Sequence, residues 1–192
     1  ALSAVEVQSL YNWAPGPAAY WNMDENTGTS ANDKSGNGNT GTLSGATWGI
    51  GRFGSGIASS NEAAQNYVYA FDPADSSLDF NNNQSFTYSF WYKHGSTSDD
   101  YIVPFYKGGS DATIAGYDLE ITTATSDADC NYSDGNNVLT PGRDSVTWAS
   151  STLLNGNWYY ITCLMDRSGA ATGTPGFYLY VNGIQKGANT SL

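Results

Sequence analysis

Oxygen-bearing side chains are densest in two short, turn-rich segments: Asp24, Glu25 and Asn26 in one, Asp33, Asn37 and Asn39 in the other. Ca²⁺ takes about six to eight oxygen ligands, carbonyls included, on a sharply bent backbone. Gly28, Gly36, Gly38 and Gly41 permit such bends. Asp24, Asn26, Asp33, Asn37 and Asn39 are therefore expected to hold a structural calcium ion, the one cofactor this sequence suggests. The same residue types also close Asx turns with no ion at all. A second pair of carboxylates, Asp118 and Glu120, brackets Leu119. Strand alternation would aim both at one sheet face, where they read as a solvated surface. Asp72 and Asp75, beside Pro73, read as turn formers. His94 is the single histidine, so a nucleophilic triad or a histidine metal centre would rest on it alone. It follows a strand in a Gly/Ser stretch and reads as a surface residue.

Sugar recognition needs exposed aromatic rings, which stack on pyranose faces, beside amides and carboxylates that bond hydroxyls. Tyr101, Tyr106, Tyr132 and Trp148 are the candidates, because loop or edge placement would expose them. Cys130 and Cys163 are the two cysteines, enough for one disulfide in an oxidising compartment. Cys163 falls in an apolar run and reads as core, whereas Cys130 falls in a polar stretch read as a loop.

Composition bounds what these residues can serve. The 192 residues include 18 acidic and 7 basic side chains, for a net charge of −11. No basic patch neutralises phosphates, so nucleic acid is not an expected partner. The same charge opposes an anionic membrane surface, and no apolar run reaches the about 18 residues of a membrane span. Aromatics are 14 % and charged residues 13 % of the chain. That profile belongs to a globular, strand-rich protein rather than a disordered one.

The elements that must position these side chains are short strands with turn punctuation. Ser3 and Glu6 form a capping box, and Val7, Leu10 and Tyr11 share a helical face, so residues 1–12 are expected to be helical. Ala14-Pro15-Gly16-Pro17 stops that helix. Strands are then expected at 19–24, 40–43, 56–59, 66–71, 85–93, 102–107, 117–122, 146–149, 158–165 and 177–182. In 85–93, Phe86, Tyr88, Phe90 and Tyr92 alternate with Thr87, Ser89 and Trp91, which predicts a central strand. Asn182-Gly183 has the composition of a type I′ hairpin turn. Strands this numerous predict an all-β, antiparallel two-sheet sandwich with a short N-terminal helix.

Six ordered motifs carry a resemblance. Tyr20-Trp21-Asn22-Met23-Asp24-Glu25-Asn26-Thr27-Gly28 resembles a W-x-F-D-E-G-S-G opening, and Asp33-Lys34-Ser35-Gly36-Asn37-Gly38-Asn39-Thr40-Gly41 a D-x-S-G-N-x-N-D-G turn. Trp48 with Gly51-Arg52-Phe53-Gly54 is similar to a W…G-x-F-G element. The 85–93 strand is similar to F-T-I-S-A-W-V-K, Asn157-Trp158-Tyr159-Tyr160 to W-H-H-V, and Leu179-Tyr180-Val181-Asn182-Gly183 to L-Y-V-N-G. These motifs resemble the laminin-G-like and pentraxin-like domains of the concanavalin A-like jelly rolls. The resemblance implies a non-catalytic, extracellular or cell-surface module that binds a glycan or cell-surface ligand, with calcium between the opening region and a closing strand. It also implies two alternatives, a ligand-free structural spacer and a glycoside hydrolase. For the hydrolase, Asp118-Leu119-Glu120 lacks the leading glutamate of the family's E-x-D-x-(x)-E strand, with Gly116 in its place.

The family's closing run follows the L-Y-V-N-G hairpin, whereas residues 1–7 look like the tail of such a run. Residues 1–16 are therefore expected to end a preceding repeat, and 17–192 to form a jelly roll whose closing strands lie beyond Leu192. Neighbouring repeats of the same protein are the further partner this implies.

Overall fold

The structure is a computed structural model. It describes residues 3–6, 16–58, 66–71, 76–81, 83–95, 101–108, 115–122, 127–133, 144–149 and 153–191. Residues 4–6 are helical behind the expected capping box. Glu6 N donates to Ser3 Oγ at 3.3 Å, and Ser3 N donates to Glu6 Oε2 at 2.8 Å. Val7, Leu10, Tyr11, Asp72 and Asp75 lie outside the described residues. The chain divides into two compact units, Ala1–Leu78 and Asp79–Leu192.

In the first unit, β1 (Ser30–Ala31), β2 (Gly41–Ser44) and β5 (Tyr67–Ala70) form an antiparallel sheet in the order β1-β2-β5. Ala31, Leu43 and Gly41 are buried on one face of it. A Cβ at Gly41 would stand 2.7 Å from Val68 Cγ1, so any larger residue there would have to displace the Val68 side chain. β3 (Thr47–Ile50) and β4 (Ser55–Ala58) form a hairpin. The Gly51-Arg52-Phe53-Gly54 motif is its turn, with Gly54 at φ +69° and Gly51 N bonded to Gly54 O. No strand forms at 19–24, contrary to expectation. Trp21 makes a single bridge to Asp33, because the segment spends its polar groups on turn contacts instead.

The second unit holds two four-stranded antiparallel sheets. One runs β10-β9-β8-β7, from β7 (Tyr101–Gly108), β8 (Gly116–Thr122), β9 (Asp127–Ser133) and β10 (Asp144–Trp148). The other runs β13-β12-β11-β6, from β6 (Phe86–Lys93), β11 (Trp158–Asp166), β12 (Gly176–Val181) and β13 (Ile184–Asn189). Alternation sends Tyr117, Leu119 and Ile121 of β8 inward with Ile161, Cys163 and Met165 of β11 and Phe177 and Leu179 of β12. Each such aliphatic or aromatic side chain contributes about 1.5–3 kcal/mol by leaving water. Phe86 stacks on Phe80 at 4.6 Å and lies 5.1 Å from Tyr117. The sheets meet where Asn189 Nδ2 of β13 donates to Ser145 O of β10.

Two expectations change here. The 85–93 strand forms, but as β6 it ends its sheet among the described residues instead of lying centrally, so Phe90 is only half-buried. The segment read as a polar loop around Cys130 is strand β9. Its Asp, Asn and Ser residues occupy one face only, while Ala128, Cys130 and Tyr132 form the other. Asn182 and Gly183 do adopt φ of 51° and 77°, as a type I′ turn requires.

Candidate functional site

The face of the β7–β10 sheet that points away from the core is built by the same alternation. With Tyr117, Leu119 and Ile121 inside, Asp118, Glu120 and Thr122 of β8 must face out. Register places Asn131 opposite Asp118 and Asp129 opposite Glu120. It also sets Tyr106 of β7 beside Asp118, and Ser145 and Thr147 of β10 beside Asn131 and Asp129. The face therefore gathers carboxylates, an amide and hydroxyls around a ring that is 55 % exposed, Tyr106.

The centre of this face is rigidly held. Asn131 Nδ2 donates to Asp118 Oδ1 at 2.7 Å, and both residues are buried. From the facing sheet, the Tyr88 phenol donates to the Asp118 carbonyl at 2.5 Å. Cys130, between Asp129 and Asn131, is disulfide-bonded to Cys163 of β11. Glu120 and Asp129 stand directly opposite each other across the ladder. The face thus carries the carboxylates of Glu120 and Asp129 beside one exposed ring, Tyr106.

The expected sugar-binding residues divide by strand parity. Tyr106 lies on this face. Tyr101 pairs with Thr122, and its side chain lies outside the described set. Tyr132 does not fit the expectation: it is 3 % exposed, on the core side of β9, with its phenol donating to Phe80 O at 3.2 Å. The Arg167 guanidinium sits 5.1 Å from its ring. Trp148 is half-buried against the core, with Lys186 Nζ 5.2 Å from its ring centroid. Asp118 likewise departs from the expected solvated carboxylate, at 1 % exposure.

His94 is also not a surface residue. It is buried, with Nδ1 3.0 Å from the Tyr92 hydroxyl, and its backbone is tied to Gly156 and Asn157. Burial pushes the imidazole pKa down and the Tyr92 phenol up.

The oxygen-rich turns of the first unit are arranged as a lock. Asp33 accepts from Tyr20 N at 2.9 Å, Ser35 N at 2.8 Å, Ser35 Oγ at 2.8 Å and Asn39 N at 2.9 Å. Partial burial raises the pKa of this carboxyl, but those bonds outweigh it and hold the group below its ordinary range. Asn37 Nδ2 and Asn39 Nδ2 both donate to Ala18 O, at 2.9 and 3.1 Å. Asp24 accepts from Asn22 Nδ2, and with Asn26, Ile50 and Ser55 it lines an open groove of about 590 Å³. Asp33, Asn37 and Asn39 thus spend polar atoms on the chain itself. Among the described residues, no group of three or more His, Cys, Asp or Glu side chains is placed to hold a metal ion.

No helix among the described residues is long and apolar enough to cross a membrane. The family model described as the concanavalin A-like lectin/glucanases superfamily, of laminin G type, matches residues 61–192, and the chain belongs to that family. Its sandwich is accordingly a jelly roll. No curated protein and no solved structure matches the chain. The family and the disulfide together point to an extracellular protein.

Proposed function

We propose that this chain is a non-catalytic, extracellular glycan-binding or adhesion module that engages sugars on the outward face of the β7–β10 sheet. One observation carries the reading: exposed Tyr106 stands in register with the held Asp118–Asn131 pair. Stacking on the ring would supply apolar contact, and Glu120 and Asp129 would accept hydroxyl hydrogen bonds, which are stronger to charged acceptors. A glycan array with the intact chain, followed by titration of any hit, tests it. Tyr106→Ala should weaken binding by about tenfold, the effect of losing one well-placed aromatic. No hit on the array, or a hit indifferent to Tyr106→Ala and Glu120→Gln, would remove this face as the site.

Glycoside hydrolysis is favoured by one feature, the placement of Asp118, Glu120 and Asp129 on the same face. Against it, the Asp118 side chain is buried and bonded to Asn131, so it is poorly placed to meet a substrate. Release of reducing sugar from β-glucans that Glu120→Gln abolishes would establish the hydrolase instead.

A further inference from the structure

The first unit carries a second face of unusual composition. On β5, Tyr67 and Tyr69 point to the side opposite Val68, and Phe71 continues their row. These rings are 49 %, 38 % and 79 % exposed. Their centroids follow one another at 5.9 and 5.4 Å. Register sets Thr42 beside Tyr69 and Ser44 beside Tyr67, with Ser30 beside Thr42. Rings along one strand are thus flanked by hydroxyls on the next two, while Ala31, Leu43 and Val68 take the inward side. Contiguous exposed rings of this kind mark interaction sites more often than plain solvated surface.

We propose that this face of the β1-β2-β5 sheet is a further carbohydrate-contact surface, and that its ligand is a single, soluble, neutral polysaccharide chain. The charge pattern selects the ligand. In a chain of net charge −11, these six positions carry no Asp, Glu, Lys, Arg or His. An anionic polymer would meet repulsion from the protein and find no cation on the face. A neutral sugar chain matches both halves of the surface, its C–H faces against the rings and its hydroxyls against Ser and Thr. The ring geometry selects among neutral glycans. Tyr67 and Tyr69 are tilted by 59°, and Tyr69 and Phe71 by 89°. Three rings so inclined make no flat shelf for a crystalline polysaccharide, but they suit one chain that turns as it runs along the strand.

The test is affinity electrophoresis of the full chain in gels cast with soluble β-glucan, xylan, mannan or xyloglucan, alongside a pull-down on crystalline cellulose. The proposal expects retardation by at least one soluble neutral polysaccharide and none on the crystalline one. The double variant Tyr67→Ala/Phe71→Ala should weaken it by about tenfold or more. Tyr106→Ala should leave a residual retardation that is lost when Tyr67→Ala/Phe71→Ala is added to it, which separates this face from the one on β7–β10. Because these side chains are exposed, the variant should keep the wild-type melting temperature, and that control is read alongside. Three results overturn the proposal: no retardation by any soluble neutral polysaccharide, retardation unchanged in the folded double variant, or a dimer in sedimentation velocity that the double variant dissolves. The last would make the occupant a second copy of this chain.

Discussion

Asn131 and Asp118 face each other across β9 and β8, with Nδ2 2.7 Å from Oδ1 and both residues almost wholly removed from solvent. A buried carboxylate deprived of a donor pays the desolvation that the donor offset. Asn131→Leu, which keeps volume and removes the donor, should cost about 2–3 kcal/mol, read from urea denaturation. Adding Asp118→Asn should recover part of that loss, since a neutral amide is less costly to bury. A loss below about 0.5 kcal/mol, the range of ordinary surface substitutions, would show the pair to be of no energetic consequence.

The disulfide between Cys130 and Cys163 closes a span of 33 residues. A cross-link of that length is expected to stabilise by about 3–4 kcal/mol through the entropy it removes from the unfolded chain. The urea midpoint should therefore fall when the protein is unfolded in the presence of a thiol reductant. Identical midpoints with and without reductant would contradict this.

His94 gives a pH dependence of definite sign. Its folded-state pKa is depressed by burial below the ordinary 6.5, so the unfolded chain binds the proton more readily. Its stabilising contribution is fully present above about pH 6.5 and is lost as pH falls toward the folded pKa. Unfolding free energies measured from pH 8 to pH 5 should decline below about pH 6.5. His94→Gln should flatten that decline. A decline of the same size in the variant would assign it to other groups.

Asp33 titrates in a lower window. Its carboxyl is held below the ordinary carboxylate value of 3.8, so its contribution is present above that value and is lost as pH falls through the folded pKa. Asp33→Ala removes four hydrogen bonds and should destabilise by about 1–3 kcal/mol. All four donors to Asp33 come from the chain itself, so melting temperatures in Ca²⁺ and in EDTA should coincide. A Ca²⁺-dependent rise that Asp33→Ala abolishes would establish a calcium site here instead.

Much of the strand pattern was legible because period-2 alternation is local. Phe86, Tyr88, Phe90 and Tyr92 announce β6 unaided, and Asn182-Gly183 announces the turn into β13. β9 was not legible. Asp127, Asp129, Asn131 and Ser133 look like loop residues, and only pairing with β8 and β10 makes their polarity one face of a strand. Missing it put Tyr132 among the exposed rings and Cys130 outside the core. The candidate face shared that fate: the exposure of Tyr106 was expected from its type and place, but its neighbours Asn131 and Asp129 were not, since nothing nearby in sequence announces a cross-strand partner.

By itself, then, the order of residues determined the all-β class, the family, the capping box at Ser3 and Glu6, and most strand positions. These follow from backbone propensity and from spacing over a few residues. Tertiary structure alone decided which carboxylate is buried, which ring is exposed and which polar cluster is a lock. Asp118 and Glu120 are two residues apart on one strand, yet the first is sealed against Asn131 and the second remains partly accessible. Burial depends on what the rest of the fold brings alongside, and for Asp118 that neighbour comes from 13 residues along the chain.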